Sequence, residues 1–329
     1  MNDTKRKFRN LAIILIILLE LEAVVYLVTD YHRKKILSST PSFSTIAGSS
    51  VTFPDQSSLK YFYEPKADSE ANNGVPDWLK IKPTYHINHD TLRGTTDYTP
   101  DKPPGTFRII TLGDSFTYGL FVNNEQSYPK VLEDELNGMG CTTYKKFEVI
   151  NLAVQGYDVK YSEERYKLRG QKYDPDLVIW FLKYDDIDYI NEILLPKVND
   201  YLNKLGGGLI EPQVFNVWDQ AFKDSLKQLS VKEIVDYNMQ AFNEFNSLYK
   251  NNLLIYAPKY LLPSTTTNPA LLLENYSKSR DGTYLYESPL DLVKAGKVFP
   301  DQHPNPEGHK AIAQDLLNYL LANKLITCK

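Results

Sequence analysis

Short apolar runs alternate with amphipathic segments from residue 105 to the end of the chain. The apolar runs predict strands at 107–112, 147–154, 177–182 and 253–257, with a weaker pattern at 284–286. The amphipathic segments predict helices at 128–136, 162–171, 231–249 and from 306 to about 324. Continuous apolar strands separated by helices are typical of a parallel sheet that is covered on both faces. We therefore expect a three-layer α/β domain over residues 105–329.

An apolar run from Leu11 to Val28 precedes this domain and is about as long as a helix that crosses a bilayer. The basic sequence KRKFRN comes directly before it, and such charges stay on the cytoplasmic side. We therefore expect residues 1–30 to form a cytoplasmic tip and a transmembrane signal-anchor. The rest of a single-pass chain at the cell membrane would then lie outside the cytoplasm.

Two glutamates, Glu20 and Glu22, oppose insertion of this run. If each costs roughly 2.5–3.5 kcal/mol, as other charged residues do, the gain from the aliphatic side chains is about cancelled. Insertion then requires that the two carboxyl groups are protonated or paired. A cleaved signal peptide with 11–19 as its apolar core is an alternative, although no small-residue cleavage site follows. A buried helix of a soluble protein is the third interpretation.

The chain between the apolar run and the α/β pattern, residues 31–104, is largely polar and rich in Ser, Thr, Pro and Asp. It contains one aromatic island, LKYFYEP, and one extended piece, YHINHDTLRG. This pattern predicts a linker followed by irregular structure that packs on the main domain. A second unusual stretch, 188–228, is longer than a crossover between strands requires, and predicts an insertion over the sheet edge.

Composition and charge exclude several classes of function. The formal net charge is −4 with charges of both signs, so the chain has no basic field for binding nucleic acid. Cys141 and Cys328 are the only cysteines, too few for a disulfide framework or a structural zinc cluster. At most one bridge can form, and the sequence leaves open whether the two cysteines pair.

Reactive side chains follow the predicted strands at their carboxyl ends, where open parallel sheets bind ligands. Gly113, Asp114 and Ser115 come directly after the first strand. Further polar or turn-forming residues come at the end of the second strand, after the third strand and before the last helix, and these are Asn151 with Gly156, Asp185 with Asp186, and Asp301 with His303.

A serine becomes a nucleophile only beside a base, and His303 is the best candidate among five histidines. It follows Asp301 by two residues, a spacing at which a turn lets the carboxylate reach Nδ1. The same stretch could simply lead into a helix, with Asn305 as N-cap and Pro306 at the first helical position. The other histidines lie beside the apolar run, in the irregular segment or inside the last helix, and these are His32, His86, His89 and His309.

The ordered stretches GDSFTYG, NLAVQGYD and DQHPNPEGH resemble the sequence blocks of the SGNH (GDSL-type) serine hydrolase family, over roughly residues 105–329. INHDTLRG also resembles a segment that precedes this domain in membrane-anchored relatives. The resemblance implies a flavodoxin-like sheet, Ser115 as nucleophile, His303 as general base and Asp301 as its partner. It also implies an oxyanion hole formed by the amides of Ser115 and Gly156, and no metal or organic cofactor.

Two positions depart from the family pattern. The family often places its acid three residues before the histidine, and here Asp301 lies only two before it. In the third block, Gly-x-Asn-Asp in the family, Lys183 stands at the glycine and Asp185 at the asparagine. Because an ionised carboxylate cannot donate a hydrogen bond, Asp185 could complete the oxyanion hole only if burial and the charge of Asp186 keep it protonated. Otherwise it turns away, leaving the two amides and Tyr184, or the acids only cap the following turn.

We therefore expect a membrane-tethered, extracytoplasmic serine esterase that removes O-acyl groups such as acetyl from glycans or lipids. Transfer of the acyl group to a sugar hydroxyl by the same triad is the first alternative. The altered third block could instead mark a domain that binds glycan or partner proteins without turnover. A metal site for phosphoester cleavage is the last alternative, with ligands drawn from Asp114, Asp185, Asp186, Asp301 and His303.

Overall fold

The computed structural model of the chain describes residues 45–46, 49–52, 63–72, 76, 78–204 and 211–328. The expected membrane span from Leu11 to Val28 lies outside these residues. No described helix combines the length and the apolar composition that crossing a bilayer requires. Residues 198–204 and 211–221 group as one compact unit, and the remaining described residues group as a second.

Short antiparallel strands occur in the N-terminal part of the described chain. Strands β1 (Thr45–Ile46), β2 (Ser49–Thr52) and β3 (Glu64–Pro65) form one small sheet. Strands β4 (Ser69–Ala71) and β5 (Tyr85–Ile87) form a second. The chain then enters the main sheet.

The main sheet has five parallel strands, namely β6 (Thr106–Leu112), β7 (Lys146–Asn151), β8 (Leu177–Phe181), β9 (Asn252–Tyr256) and β10 (Thr283–Tyr286). Their spatial order is β7-β6-β8-β9-β10. This is the order 2-1-3-4-5 of flavodoxin-like sheets, in which ligands bind where the order reverses, beside the first strand. The predicted strands are confirmed, except that the second ends at Asn151 and not at residue 154.

Nine helices are assigned in the described residues, and these are α1 (Ser115–Tyr118), α2 (Tyr128–Gly138), α3 (Val159–Arg165), α4 (Tyr184–Asp188), α5 (Asn191–Lys204), α6 (Glu211–Leu226), α7 (Val231–Leu248), α8 (Pro269–Ser279) and α9 (Pro306–Ala322). The helix predicted at 162–171 begins earlier because Asp158 caps it, its Oδ1 accepting from the Tyr161 amide at 2.8 Å. It passes into a π-turn at Tyr166–Gly170.

Alternate residues of the strands face two separate apolar cores, as the period of two requires. Ile110 and Val178 pack with Phe242 of α7 on one face of the sheet. Ile109 and Ile179 pack with α2 and α9 on the other. The prediction of a parallel sheet covered on both faces is therefore confirmed.

Cys141 and Cys328 form a disulfide, with their Cα atoms 5.0 Å apart and 187 residues apart in sequence. Cys141 follows α2 and Cys328 follows α9, so the bond joins the ends of two helices on the same face of the sheet. This answers the question that the sequence left open.

Replacing both cysteines by serine is expected to lower the free energy of unfolding by about 2–4 kcal/mol, because the bond restricts a long loop in the unfolded chain. Urea unfolding of the oxidised protein and of the double variant measures this difference. Reductant should destabilise the wild type and leave the variant unchanged. Equal midpoints for the oxidised wild type and the variant would show that the bond adds no stability.

Candidate active site

Ser115 is the first residue of the four-residue helix α1 and comes directly after the central strand β6. Gly113 has a φ of 144°, and a Cβ there would lie 2.6 Å from a side-chain oxygen of α1. Asp114 caps the helix, its Oδ1 accepting from the Phe116 amide at 2.9 Å. Gly119 ends it in the left-handed conformation, with a φ of 80°. This tight strand–turn–helix fixes the position of the serine.

His303 contacts Ser115 from the loop before α9. Its Nε2 lies 2.9 Å from Ser115 Oγ, and its Nδ1 lies 2.8 Å from Asp301 Oδ2. The loop turns tightly, since the Phe299 amide donates to the His303 carbonyl at 2.7 Å and Gln302 has a φ of 71°. The His303 amide also donates to Asp301 Oδ1 at 3.2 Å. The spacing of two residues thus lets Ser115, His303 and Asp301 form one hydrogen-bonded chain.

Gly156 lies in the loop after β7, which is tied to the turn before Ser115 because the Val154 amide donates to the Gly113 carbonyl at 3.4 Å. Gly156 has a φ of 77°, and its carbonyl accepts from Asn191 Nδ2 at 2.7 Å. A Cβ at this position would come within 2.9 Å of a tyrosine hydroxyl, so the close approach favours glycine. No residue of the described chain accepts a hydrogen bond from its amide.

The third block places a lysine and two acids, Asp185 and Asp186, beside Asp114. Lys183 Nζ lies 2.8 Å from Asp114 Oδ2 and also pairs with Asp185. Asp185 is a quarter exposed, and its Oδ1 accepts from Lys183 Nζ at 2.5 Å. Of the two adjacent acids, Asp186 is the buried one. Burial, reinforced by the charges of Asp114 and Asp185, raises the pKa of Asp186 well above the ordinary value. Asp185 is thus held by Lys183 in an ion pair beside Asp114.

A sequence model of the family described as GDSL-like Lipase/Acylhydrolase matches residues 109–316. The chain belongs to this family. It is therefore a hydrolase of ester bonds, with an SGNH-type α/β fold around a parallel sheet. The matched residues include β6 from residue 109 onward, strands β7 to β10, and the site residues Ser115, Gly156, Asp301 and His303.

Solved structures resemble the hydrolase at low sequence identity, and the likeness concerns the fold alone. The esterase EstA from Pseudoalteromonas sp. is 16% identical over 66% of this chain and 98% of its own, with a TM-score of 0.44. A two-domain esterase active on acetylated mannans is 16% identical over 68% of this chain and 51% of its own, with a TM-score of 0.42. The acetylxylan esterase Axe2 from Geobacillus stearothermophilus is 13% identical over 64% and 93%, with a TM-score of 0.41. No curated protein matches the sequence.

The other described histidines of the hydrolase lie away from Ser115. His309 is fully buried, its Nδ1 accepts from the Tyr128 amide at 3.2 Å, and burial lowers its pKa to about 3. It is therefore a neutral, packed residue of α9. His86 and His89 pair with Glu70 and Asp68. His32 lies outside the described residues.

The carboxylates considered as metal ligands are already paired in the structure. Lys183 contacts Asp114, Asp185 and Asp186, while Asp301 is hydrogen-bonded to His303. Within the described residues, one acidic group has metal-binding geometry, and the ammonium of Lys160 pairs with each of its members, Glu163, Glu164 and Glu244. The arrangement at Ser115 therefore favours a serine mechanism over the metal alternative.

Arg93 is a structural residue of the site that sequence reasoning missed. Its guanidinium donates to the main-chain carbonyls of Tyr118, Gly119 and Val122, at and directly after the end of α1. Its Nε donates to Asn124 Oδ1 at 2.8 Å. The stretch INHDTLRG, which contains Arg93, was the available signal. The segment before the α/β domain thus helps to shape the loop beside Ser115.

Aromatic rings pack around the imidazole of His303. The ring centroids of Phe116 and Phe121 lie 5.3 and 5.5 Å from that of His303. Trp78 packs against Phe121 and Phe299 at 5.3 and 5.7 Å and is 37% exposed. Phe121 has a φ of 68°, a strained conformation for a bulky residue, and its amide donates to a tyrosine hydroxyl at 2.7 Å. The sequence did not indicate this surface.

Proposed function

We propose that the protein is a serine esterase in which Ser115 is the nucleophile, His303 the general base and Asp301 its orienting acid. One observation carries the proposal: His303 bridges Ser115 Oγ and Asp301 Oδ2 through its two ring nitrogens, at 2.9 and 2.8 Å. Since a serine hydroxyl is a weak nucleophile, a base within hydrogen-bond reach and a third group that orients the base are what its activation requires.

In this mechanism His303 takes the proton of Ser115 as Oγ attacks the acyl carbonyl, and Asp301 holds the imidazole with Nε2 towards the serine. The tetrahedral anion is stabilised by the amides of Ser115 and Gly156, which donate to no acceptor among the described residues. His303 then gives its proton to the leaving alcohol. Water, activated by His303, releases the acyl group from Ser115 in the second half of the cycle.

The substrate that we propose is an O-acylated glycan or lipid. Because His303 returns its proton to the leaving alcohol, groups beside His303 lie next to the alcohol part of the ester and not its acyl part. In the structure these groups are the rings of Phe121 and Phe299 and the partly exposed indole of Trp78. These rings pack edge to face or tilted, and the partly exposed indole of Trp78 suits the apolar face of a sugar ring or a lipid backbone.

We further propose that the enzyme is tethered to the membrane by the run from Leu11 to Val28, with the hydrolase domain outside the cytoplasm. The basic residues before this run support the orientation. The bond between Cys141 and Cys328 supports it independently, because structural disulfides persist mainly in oxidising compartments.

A fluorophosphonate probe tests the serine mechanism. We expect one equivalent to react with Ser115, and we expect labelling to disappear in Ser115→Ala and in His303→Ala. Ser277→Ala, at a partly exposed serine on α8, is the matched control and should label like the wild type. Unlabelled wild-type protein, or full labelling of Ser115→Ala, would contradict the proposal.

Two extensions of this experiment test the finer statements. A membrane-impermeant fluorophosphonate should label the enzyme in intact cells, and labelling only after lysis would contradict the proposed placement. Mass spectrometry of the products with an acylated donor and a free glycan distinguishes water from sugar as acceptor. Free acid is expected from the esterase, whereas an acylated glycan would identify an acyltransferase with the same triad.

A further inference from the structure

Lys183 is a buried cation whose position the family pattern does not anticipate. It follows β8 and precedes α4, and it stands where the family's third block has glycine. Its side chain is 6% exposed, and that of its partner Asp114 is 5% exposed. Lysine is rarely buried so completely, because removal of its ammonium from water is costly without ionic partners. The structure supplies three carboxylates at this position.

The charge of this lysine is fixed by its neighbours. Burial lowers the pKa of Lys183, but the carboxylates of Asp114, Asp185 and Asp186 raise it more, so that it lies well above the ordinary value. Burial raises the pKa of Asp114, but the ammonium of Lys183 outweighs this and holds it below the ordinary value. At neutral pH the two side chains therefore form an ion pair in a site that excludes water.

This ion pair is in hydrogen-bond contact with the proposed nucleophile. Asp114 Oδ2, the oxygen that Lys183 contacts at 2.8 Å, is also 3.1 Å from Ser115 Oγ. On its other side, Ser115 Oγ is 2.9 Å from His303 Nε2. The hydroxyl has a single proton, so Asp114 and His303 compete for it. Only a proton directed to His303 leads to attack on an ester.

An isolated carboxylate at this position would impair the reaction in two ways. It would accept the serine proton more strongly than a neutral imidazole does, because charged acceptors form the stronger hydrogen bonds. It would also place a negative charge beside the anion that develops on the substrate, where the low local dielectric makes repulsion large. The ammonium of Lys183 counters both effects.

We propose that Lys183 is a positioning residue for the nucleophile: its ammonium neutralises Asp114, so that the proton of Ser115 is directed to His303 and an anion can form beside it. The inference rests on the proposed role of Ser115. Asp185 and Asp186 then have a role as well, since they hold the ammonium next to Asp114. The lysine at the family's glycine position therefore makes a second electrostatic contribution to the site.

The test compares two variants that change the local charge in opposite directions. Lys183→Met removes the cation, while Asp114→Asn removes the anion and leaves Lys183 paired with Asp185. For each variant we measure kcat and KM with p-nitrophenyl acetate, the rate of fluorophosphonate labelling, and the pH dependence of kcat/KM. The charged or titratable groups facing His303 are Ser115, Asp301, Asp114 and, more remotely, His309.

Lys183→Met is expected to lower kcat and the labelling rate on the order of 10²-fold, with KM little changed, as for loss of one preorganised charge. The unneutralised Asp114 favours the protonated form of His303, so the acid limb of the pH profile should move to higher pH. In Asp114→Asn the carboxylate that favours the protonated form of His303 is lost while the ammonium of Lys183 remains, so the limb should move to lower pH. A purely structural role would not move the limb in opposite directions.

The inference is overturned if the acid limb stays in place in both variants or moves in the same direction in both. If Lys183→Met does not fold, Asp114→Asn alone still tests the proposal. An acid limb that does not move to lower pH in Asp114→Asn contradicts the role of the ion pair. Failure of the proposed function itself is recognised separately, since in that case wild-type protein does not react with the fluorophosphonate at all.

Discussion

Ser115→Ala is expected to lower kcat for an activated ester such as p-nitrophenyl acetate by about 10⁴-fold or more, because it removes the atom that forms the acyl-enzyme. KM should change little, since the hydroxyl contributes little to ground-state binding. His303→Ala should lower kcat to a similar level, and the double variant should be no slower than either single variant. Residues that act as one unit are non-additive in this way. Steady-state kinetics of the three variants measures the pattern.

The protein contains a matched control for this experiment. His89 Nδ1 lies 2.9 Å from Asp68 Oδ2, almost the geometry of His303 and Asp301, but on the surface and without a serine. His89→Ala should therefore retain wild-type kcat. A loss in His89→Ala comparable with that in His303→Ala would point to a general effect of histidine removal. Retention of more than about a tenth of kcat in Ser115→Ala would exclude Ser115 as the nucleophile.

The parts of the fold that depend on local pattern could be predicted from the sequence. Strands β6 to β9 are short apolar runs because both faces of the sheet are covered, and such runs are recognisable without knowledge of their partners. The C-terminal end of β7 was harder to predict from the sequence. Residues 152–154 continue the apolar pattern, but the Ala153 amide donates to Asn151 Oδ1 at 3.1 Å, and the Val154 amide donates to the carbonyl of Gly113, which lies beyond the end of β6.

The site could be predicted as far as its residues share a short stretch or a known order. Ser115 follows a strand, and Asp301 precedes His303 by two residues, so each half of the proposed triad is visible locally. The partners of Lys183 were not visible in this way. Its contact with Asp114 joins residues 69 positions apart that follow adjacent strands, and only the register of β6 with β8 brings them together. Read alone, Lys183 was merely a departure from the family pattern.

The same limit applies to Arg93, which is remote in sequence from the loop that it supports. Its guanidinium lies over the rings of Tyr85 and Tyr118, at 4.5 and 4.7 Å from their centroids. Its donors satisfy three main-chain carbonyls between residues 118 and 122, together with Asn124 Oδ1. Five donors in a planar fork allow one side chain to satisfy all four acceptors. A lysine has three donors on a single atom and cannot reproduce this arrangement.

Arg93→Ala is therefore expected to lower the free energy of unfolding by about 4–6 kcal/mol, because each buried acceptor left without a partner costs about 1–3 kcal/mol and water can reach only some of them. Arg93→Lys should lose roughly half as much. Arg280→Ala is the matched control, since Arg280 also donates to main-chain carbonyls, those of Tyr249 and Asn251, but is partly exposed and remote from Ser115. It should lose less than about 1.5 kcal/mol.

Urea unfolding at low temperature measures these differences, and kcat in Arg93→Lys links them to function. The loop that Arg93 holds carries Phe121, whose ring contacts His303, so its relaxation should lower kcat as well as stability. Arg280→Ala should leave kcat unchanged. If Arg93→Ala were no less stable than Arg280→Ala, the carbonyls after α1 would have other partners, and the segment before the α/β domain would not be needed to shape the active site.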